Sequence, residues 1–316
     1  MRIGTQESTA GGLARAFERA QAVGAESLQI FTKSGRQWAA RPLVADETRD
    51  FRAAAQRTGL LVLAHASYLL NLAAAGAELW EKSALSFVVE LERCAALGIP
   101  WLVVHPGSNP DVAQGLDLAA RSVRRALDAT AGSPAGVLFE TTAGQGSSLG
   151  HSFEELAELL EKTAEPARSG VCLDSCHLFA AGYDLSSEEG YDRTMRELDQ
   201  RIGSKAVRAL HLNDAKKGLS SRVDRHARIG EGTLGLAAFE RLVCDQRFEG
   251  LPAVLETPPG QRQEELAVLK ALRDPANRAR ARCSASKPLA RPRPAAVAKP
   301  TKSPHSNLIA PNAARG

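Results

Sequence analysis

The sequence lacks a membrane-spanning segment, a recognisable secretory signal and an even set of cysteines. None of its stretches approaches the roughly 18 consecutive apolar residues of a membrane helix. The opening segment, MRIGTQESTAGG, is not followed by the apolar core of a signal peptide. The five cysteines include Cys172 and Cys176, which are four positions apart and do not form a CxxC pair. We therefore expect a cytoplasmic protein with reduced thiols and no membrane partner.

The positive charge of the chain is unevenly placed. Forty Lys and Arg residues against 36 Asp and Glu residues give a formal net charge of +4. Residues 278–316 hold nine of the basic residues, none of the acidic residues and six of the sixteen prolines. Such a segment cannot bury enough apolar surface to offset the entropy lost on ordering. We predict an acidic folded domain over residues 1–277 and a basic, disordered tail over residues 278–316.

Within residues 1–277, short apolar segments alternate with longer amphipathic ones. Nearly continuous apolar strands, such as Leu60-Leu-Val-Leu-Ala64, are typical of parallel sheets that are covered on both faces. Between the strands, Ala84, Phe87 and Leu91 recur on one helical stripe, and Ser152 with Glu155 forms a capping-box pattern. Eight such units in about 260 residues predict an α/β fold, the TIM (β/α)8 barrel. The eight predicted strands are Arg2–Glu7, Ser27–Thr32, Leu60–Ala66, Trp101–His105, Gly136–Thr141, Gly170–Asp174, Val207–Asn213 and Pro252–Glu256.

An open, doubly wound sheet is the alternative fold. It would place a glycine-rich phosphate-binding loop after the first strand. The pair Gly11-Gly12 follows that strand, but the segment does not match the GxGxxG pattern. The sequence therefore favours the closed barrel.

Nine potential metal ligands lie near the carboxyl ends of the predicted strands or in the loops that follow them. A barrel gathers the carboxyl ends of its strands at one rim, so these side chains are expected to converge. Imidazole and carboxylate donors suit zinc or manganese, and nine of them suffice for two or three ions if a carboxylate bridges. Any single member could be an ordinary rim residue, but buried carboxylates without a partner or an ion cost several kcal/mol each. The nine are His65, His105, Glu140, Asp174, His177, His211, Asp224, His226 and Glu256.

Several of these residues lie in longer motifs that resemble the signatures of the endonuclease IV family, the apurinic/apyrimidinic endonucleases. The motifs are His65-Ala-Ser-Tyr-Leu-Leu-Asn71, Leu173-Asp-Ser-Cys-His177, and His211-Leu-Asn-Asp-Ala-Lys216 followed by Asp224-Arg-His226. The segments Phe31-Thr-Lys-Ser-Gly-Arg-Gln-Trp38, Val104-His-Pro-Gly107 and Glu140-Thr-Thr-Ala-Gly-Gln-Gly146 are also similar to that family. The resemblance runs from Met1 to about Pro259 and leaves out the tail.

The resemblance implies a cluster of three zinc ions, with manganese as a possible substitute. By this likeness, His65, His105 and Glu140 hold the first ion, and His177, Asp224 and His226 hold the third. The second ion is held by Glu140, Asp174, His211 and Glu256. Glu140 bridges the first two ions and is the expected catalytic residue, which positions the attacking water.

The resemblance also implies the substrate, duplex DNA that contains an abasic site. The implied reaction is hydrolysis of the phosphodiester 5′ to that site, which leaves a 3′-hydroxyl and a 5′-deoxyribose phosphate for base excision repair. Arg36, Gln37, Tyr68 and Leu69 match or adjoin positions that the family inserts into DNA. The protein is expected to be a monomer. Six further basic residues lie on the same predicted face, and each is expected either to meet a phosphate or to be a solvated loop charge. They are Lys33, Lys216, Lys217, Arg222, Arg225 and Arg228.

One position departs from the family pattern, and two other functions compete with the nuclease. Gln6 stands where the family often has a histidine that contacts a metal ligand. A change next to a ligand affects the rate more than the type of reaction. A metal-dependent sugar isomerase or epimerase on the same barrel would need only one or two ions. A non-enzymatic nucleic-acid binder would act through the basic tail, with a steep dependence on salt.

Overall fold

The computed structural model describes residues 1–274. The predicted boundary after residue 277 and the predicted disorder of the tail lie outside the described residues. The order of strands and helices along the chain is β1 (Arg2–Gln6), α1 (Arg15–Ala22), β2 (Ser27–Phe31), α2 (Ala45–Thr58), β3 (Leu61–His65), α3 (Ala77–Leu97), β4 (Trp101–Val104), α4 (Val112–Ala129), β5 (Gly136–Glu140), α5 (Phe153–Thr163), β6 (Ser169–Asp174), α6 (Ser175–Ala181), α7 (Glu188–Arg201), β7 (Val207–His211), β8 (Asp214–Ala215), β9 (His226–Ala227), α8 (Leu236–Cys244), β10 (Pro252–Leu255) and α9 (Arg262–Arg273).

Eight parallel strands of the described chain form a closed barrel in the order β1-β10-β7-β6-β5-β4-β3-β2. β1 pairs with β10 on one side and with β2 on the other, so the sheet has no free edge. The predicted TIM barrel is therefore confirmed, and the open sheet is wrong. Each of the eight predicted strands is present with its ends within two residues of the predicted ones.

The strands are nearly continuous apolar runs because apolar residues pack on both of their faces. Alternate residues of a strand point to opposite faces, so one set fills the barrel and the other packs against the helices. Inside the barrel, small and medium side chains such as Leu63, Val103 and Ala209 form a compact cluster. Outside it, Phe17, Phe87 and other large side chains join the strands to the helices. The buried acidic and histidine side chains of the strands therefore lie at the strand ends, and Gln29, in the middle of β2, is a buried polar exception.

The helix signals of the sequence correspond to real helix ends. Ser152 precedes α5, and its Oγ accepts a hydrogen bond from the Glu155 N–H. The Glu155 carboxylate accepts from the N–H groups of Gly150 and His151, rather than from that of Ser152 as a capping box would require. α3 ends at Gly98, whose φ of +74° is a left-handed conformation that glycine adopts without strain.

The amino-terminal end of the barrel is joined to the last helix by a half-buried ion pair. The Glu26 carboxylate accepts hydrogen bonds from Arg273 and from the Ile3 N–H. Burial raises the pKa of Glu26, but these hydrogen bonds outweigh it and lower the pKa to about 2. The contact connects α9 to β1 and β2 at the end of the barrel opposite the polar strand ends. Among the described residues, no helix is both long and apolar enough to cross a bilayer.

Candidate metal centre

All nine predicted ligands lie at the carboxyl-terminal rim of the barrel. Four of them, His65, Glu140, Asp174 and His211, are the last residues of β3, β5, β6 and β7. His105 and Glu256 follow β4 and β10 directly, and His177 lies in the first turn of α6. The short antiparallel pair of β8 and β9 brings Asp224 and His226 back to the same rim. Strand ends that are remote in sequence thus meet because the barrel closes.

Glu140 is the centre of this arrangement. Its side chain is fully buried, and its Oε2 lies 3.0 Å from the Nε2 atoms of both His65 and His105. Its Oε1 lies 2.8 Å from Nδ1 of His211 and 3.4 Å from Nδ1 of His177. The two oxygens of one carboxylate therefore face two different groups of imidazoles. That is the geometry a bridging ligand requires.

The potential ligands form three overlapping groups. Within each group, one donor atom from each residue lies within 4.8 Å of the others. The groups are His65, His105 and Glu140; Glu140, Asp174, His211 and Glu256; and Asp174, His177 and His226.

Asp224 also contacts the third group. Its Oδ1 lies 3.2 Å from Nε2 of His177 and 3.4 Å from Nε2 of His226. The structure therefore keeps the three residues of the predicted third set close together. It adds Asp174, whose Oδ2 is 3.8 Å from Nε2 of His226, a neighbour that the sequence analysis assigned only to the second set.

Burial and charge shift the pKa values of the site in opposite directions. Burial lowers the pKa of His177, but Asp174, Asp224 and Glu140 together raise it well above its ordinary value. For His211, the opposing effects of Cys172, Glu256 and Glu140 outweigh burial and raise the pKa. Burial raises the pKa of Glu140, but the surrounding histidines hold it well below its ordinary value. Protons and metal ions thus compete for the same imidazole nitrogens.

Hydrogen bonds to backbone carbonyl oxygens set the direction of two of the imidazoles. Nδ1 of His65 lies 2.7 Å from the Ala66 carbonyl oxygen, which leaves Nε2 facing Glu140. Nδ1 of His177 lies 2.8 Å from the Thr141 carbonyl oxygen, which directs Nε2 toward Asp224. In metal sites, a partner for the second nitrogen commonly selects the tautomer in this way.

Two buried amides beside the ligands were missed by the sequence analysis. Asn213 donates to Asp174 Oδ2 at 2.6 Å and accepts from the Glu256 N–H at 2.9 Å. Gln29 contacts both His211 and Glu256. The signal for Gln29 is a polar residue in the middle of the apolar strand Ser27–Phe31.

The predicted DNA-contacting residues lie on two adjacent loops beside His65. The Tyr68 N–H donates to the Gly35 carbonyl oxygen at 3.1 Å, so the loop of Arg36 and Gln37 touches that of Tyr68 and Leu69. Tyr68 is 64% exposed although its ring contacts Phe31 at 5.1 Å between centroids. Arg36 and Gln37 are exposed, and Leu69 is half-buried. A large aromatic side chain thus projects from the rim next to the candidate metal ligands.

Lys33 holds these two loops together, so its predicted role as a phosphate contact is wrong. Its side chain is only 3% exposed and its Nζ lies 3.2 Å from Glu90 Oε1. The same ammonium donates to the Gln37 carbonyl oxygen at 2.8 Å, and Glu90 Oε2 accepts from the Ser67 N–H at 3.0 Å. The Lys33 ammonium is therefore buried and paired within the protein, and it does not face a phosphate. The other five predicted phosphate contacts are accessible. Arg228 is half-buried, and the exposed four are Lys216, Lys217, Arg222 and Arg225.

A cavity of about 200 Å³ opens between these loops and the rim. It is lined by two of the candidate ligands, His65 and His105, together with Tyr68, Asn71 and Ser108. Asn71 is held in place by hydrogen bonds from its amide to Ser108. The cavity therefore combines a polar wall with direct access to the first group of potential ligands.

The chain is similar to known proteins along nearly all of its described length. The model of the xylose isomerase-like TIM barrel family matches residues 17–272. A probable endonuclease 4 from Chloroflexus aurantiacus is 48% identical over 278 residues, which cover 86% of this chain and 98% of that protein. The crystal structure of endonuclease IV from Thermus thermophilus has a TM-score of 0.78 at 40% identity, over 86% of this chain and 98% of its own. A D-tagatose 3-epimerase-like protein has a TM-score of 0.68 at 18% identity, over 86% of this chain and 97% of its own, and therefore shares only the fold.

Proposed function

Because the chain belongs to the endonuclease IV family of DNA-cleaving hydrolases, we propose that it hydrolyses the phosphodiester 5′ to abasic sites in duplex DNA with three zinc ions. The family resemblance of the sequence is confirmed by the same comparisons. The products would be a 3′-hydroxyl and a 5′-deoxyribose phosphate, as base excision repair requires. The observation that carries the proposal is a single buried carboxylate, Glu140, with four imidazoles on its two oxygens.

The donor set fits zinc, and manganese is the expected substitute. Imidazole nitrogens and carboxylate oxygens are the ordinary ligands of both ions. His65, His105 and Glu140 would hold one ion, and Glu140, Asp174, His211 and Glu256 would hold the second. The third would be held by His177, Asp224 and His226. When bound, such ions lower the pKa of a coordinated water and offset the negative charge of a phosphodiester.

The protein side chains orient the reactants around these groups. Since the pKa of Glu140 lies well below its ordinary value, this carboxylate stays ionised at neutral pH. It is therefore a fixed acceptor that orients the attacking water, and it is not a proton donor to the departing 3′ oxygen. The backbone carbonyls of Ala66 and Thr141 keep the rings of His65 and His177 aligned throughout the reaction.

Arg36, Gln37, Tyr68 and Leu69 are proposed to enter the duplex at the abasic site. An enzyme that acts at a recessed site must move its target nucleotide out of the stack, and inserted side chains can take its place. Tyr68 is suited to this role because it is exposed beside His65. The cavity that His65 and Tyr68 line supplies room for the displaced sugar.

Cleavage of a stable abasic analogue tests the proposed function. A duplex with one tetrahydrofuran residue cannot undergo β-elimination, so any cut at that residue is hydrolytic. We expect the zinc-loaded protein to make one incision, on the 5′ side, and to leave a 3′-hydroxyl that a DNA polymerase extends. The readout is gel electrophoresis of the end-labelled strand. An intact duplex after incubation with fully metallated protein contradicts the proposal, as does a cut on the 3′ side.

The Tyr68→Ala variant tests the proposed DNA contact. One aromatic stacking contact with nucleic acid contributes about 1–3 kcal/mol, so we expect roughly tenfold weaker binding to the abasic duplex. Zinc content and melting temperature should not change, because Tyr68 is exposed. Fluorescence anisotropy with a labelled duplex gives the Kd.

Leu85→Ala is the matched control for that variant, since Leu85 is 49% exposed on α3 and belongs neither to the cavity lining nor to the candidate ligands. It should bind as the wild type does. If Tyr68→Ala retains the wild-type Kd for abasic DNA, the contact is absent.

No feature of the described site favours the sugar isomerase or epimerase over the nuclease. The epimerase-like structure shares 18% identity with this chain, whereas the endonuclease IV structure shares 40%. Metal analysis separates the two activities, because the nuclease is expected to bind three ions and the isomerase one or two. The cytoplasmic location and the monomeric state stay predictions.

A further inference from the structure

Gln29 is a fully buried amide that contacts two of the candidate metal ligands. It lies in the middle of β2, beside Gln6 of β1. Its Oε1 is 2.9 Å from Nε2 of His211, a residue 182 positions away in the chain. Its Nε2 donates to Glu256 Oε1 at 2.6 Å and to Gln6 Oε1 at 2.8 Å. Both N–H bonds and the oxygen of the amide are therefore used.

The chemistry of these partners permits only one orientation of the amide. A carboxylate accepts hydrogen bonds and cannot donate them, so that of Glu256 must face the Gln29 NH2 group. The Gln29 oxygen then faces Nε2 of His211, and this nitrogen must carry a proton. A flipped amide would set its oxygen against the carboxylate of Glu256 and its NH2 group against the His211 N–H.

The protonation of Nε2 decides which nitrogen of His211 can bind a cation. A neutral imidazole has one donor and one acceptor nitrogen, so a proton on Nε2 leaves the lone pair on Nδ1. That atom lies 2.8 Å from Glu140 Oε1, 3.3 Å from Glu256 Oε2 and 3.9 Å from Asp174 Oδ2. These three carboxylates are the other members of the second group.

We propose that Gln29 is a positioning residue that holds His211 with its Nδ1 toward the second metal ion and aligns the Glu256 carboxylate for the same ion. Gln6 supports it by accepting the second N–H, which opposes rotation of the amide. Gln6, which departs from the family pattern, thus acts through Gln29. Among the described residues, the side chain of Gln6 forms no hydrogen bond with a ligand of the second group. The proposal rests on the proposed metal centre.

The first measurement is zinc affinity, with zinc alone as the probe and a chromophoric chelator as the competitor. Loss of the hydrogen-bond partner of a ligand typically weakens metal binding roughly 10–100-fold. We expect a loss of that size in Gln29→Met, which keeps the side-chain volume and removes both polar groups. Gln6→Leu leaves the contacts of Gln29 with His211 and Glu256 in place, so its loss should be smaller. Equal zinc affinity in Gln29→Met and the wild type overturns the proposal.

The second measurement is the histidine signal of the zinc-loaded protein labelled with 15N. The Nε2–H of His211 should exchange slowly in the wild type and rapidly in Gln29→Met. Gln6→Leu leaves the Gln29 oxygen in place as the acceptor for this proton and should retain the slow exchange. Because Gln29→Met keeps the side-chain volume, a role in packing alone would not predict the rapid exchange in that variant. If Gln29→Met does not fold, the wild-type spectrum still decides, because 15N shifts that place the His211 proton on Nδ1 contradict the proposal.

The outcomes also separate this proposal from the proposed function. A wild-type protein that binds no zinc would remove the metal centre itself. A wild type that binds zinc, together with a Gln29→Met variant that binds it equally well, would remove only the role of Gln29.

Discussion

The Glu140→Gln variant is expected to cut an abasic duplex at least about a thousandfold more slowly than the wild type, a loss of roughly 4 kcal/mol of transition-state stabilisation. Glutamine keeps the shape of the side chain but has no charge and only one acceptor oxygen. Four imidazoles face this carboxylate, and an amide cannot serve both groups at once. Single-turnover cleavage of the tetrahydrofuran duplex gives the rate, and fluorescence anisotropy should still detect DNA binding.

Glu26→Gln is the matched control for this variant. It makes the same chemical change at the opposite end of the barrel, where Glu26 pairs with Arg273. We expect it to lower the melting temperature, because the depressed pKa of Glu26 shows that its ionised form stabilises the fold. Its cleavage rate at low temperature should equal that of the wild type. A Glu140→Gln variant that cuts within tenfold of the wild-type rate would contradict the bridging role of Glu140.

Removal of metal is expected to abolish cleavage and to lower the melting temperature by roughly 10 °C. Free zinc at about a thousand times the Kd of a site adds about 4 kcal/mol of stability, and each kcal/mol is worth about 2–4 °C in a domain of this size. The stabilisation arises because the ions would neutralise carboxylates that are buried together, such as Glu140 and Asp174. Calorimetry of chelator-treated and reconstituted protein measures the shift, and metal analysis should find three ions for each chain.

The effect of metal should grow with pH. Without metal, the pKa values of His65, His177 and His211 are raised above the ordinary value of 6.5. These charged imidazoles stabilise the metal-free fold below that value, and the contribution is lost as the pH rises through the raised pKa values. Zinc displaces the same protons, so its binding strengthens over this interval. The difference in melting temperature should be larger at about pH 8.5 than at about pH 6, and cleavage by chelated protein would contradict the metal requirement.

The sequence was sufficient to predict the barrel and the rim where the candidate site lies. Strands such as Gly136–Glu140 are buried on both faces, so their apolar runs are visible without any knowledge of their neighbours. The sequence also shows directly that an acidic residue, such as Glu140 or Asp174, ends an apolar run. In a TIM barrel, that position alone places the side chain at the carboxyl-terminal rim.

The prediction that Lys33 contacts a phosphate was wrong because its partner is remote in the sequence. Its neighbours Ser34 and Arg36 are exposed, and a lysine among them suggests a solvated charge. Its partner Glu90 lies on α3, so the pair forms only when that helix packs behind the loop. A contact between elements that are 57 residues apart leaves no local pattern.

The sequence by itself determined which residues stand at the ends of buried strands, because polarity and period are properties of neighbouring residues. Only the tertiary structure decided which oxygen faces which imidazole, that Asp174 lies near His226, and that Gln29 reaches His211. These distances depend on how the strands are paired in register and on the closure of β1 against β10. Since register links residues that are far apart in the chain, small differences in alignment around the barrel would change every contact at the rim.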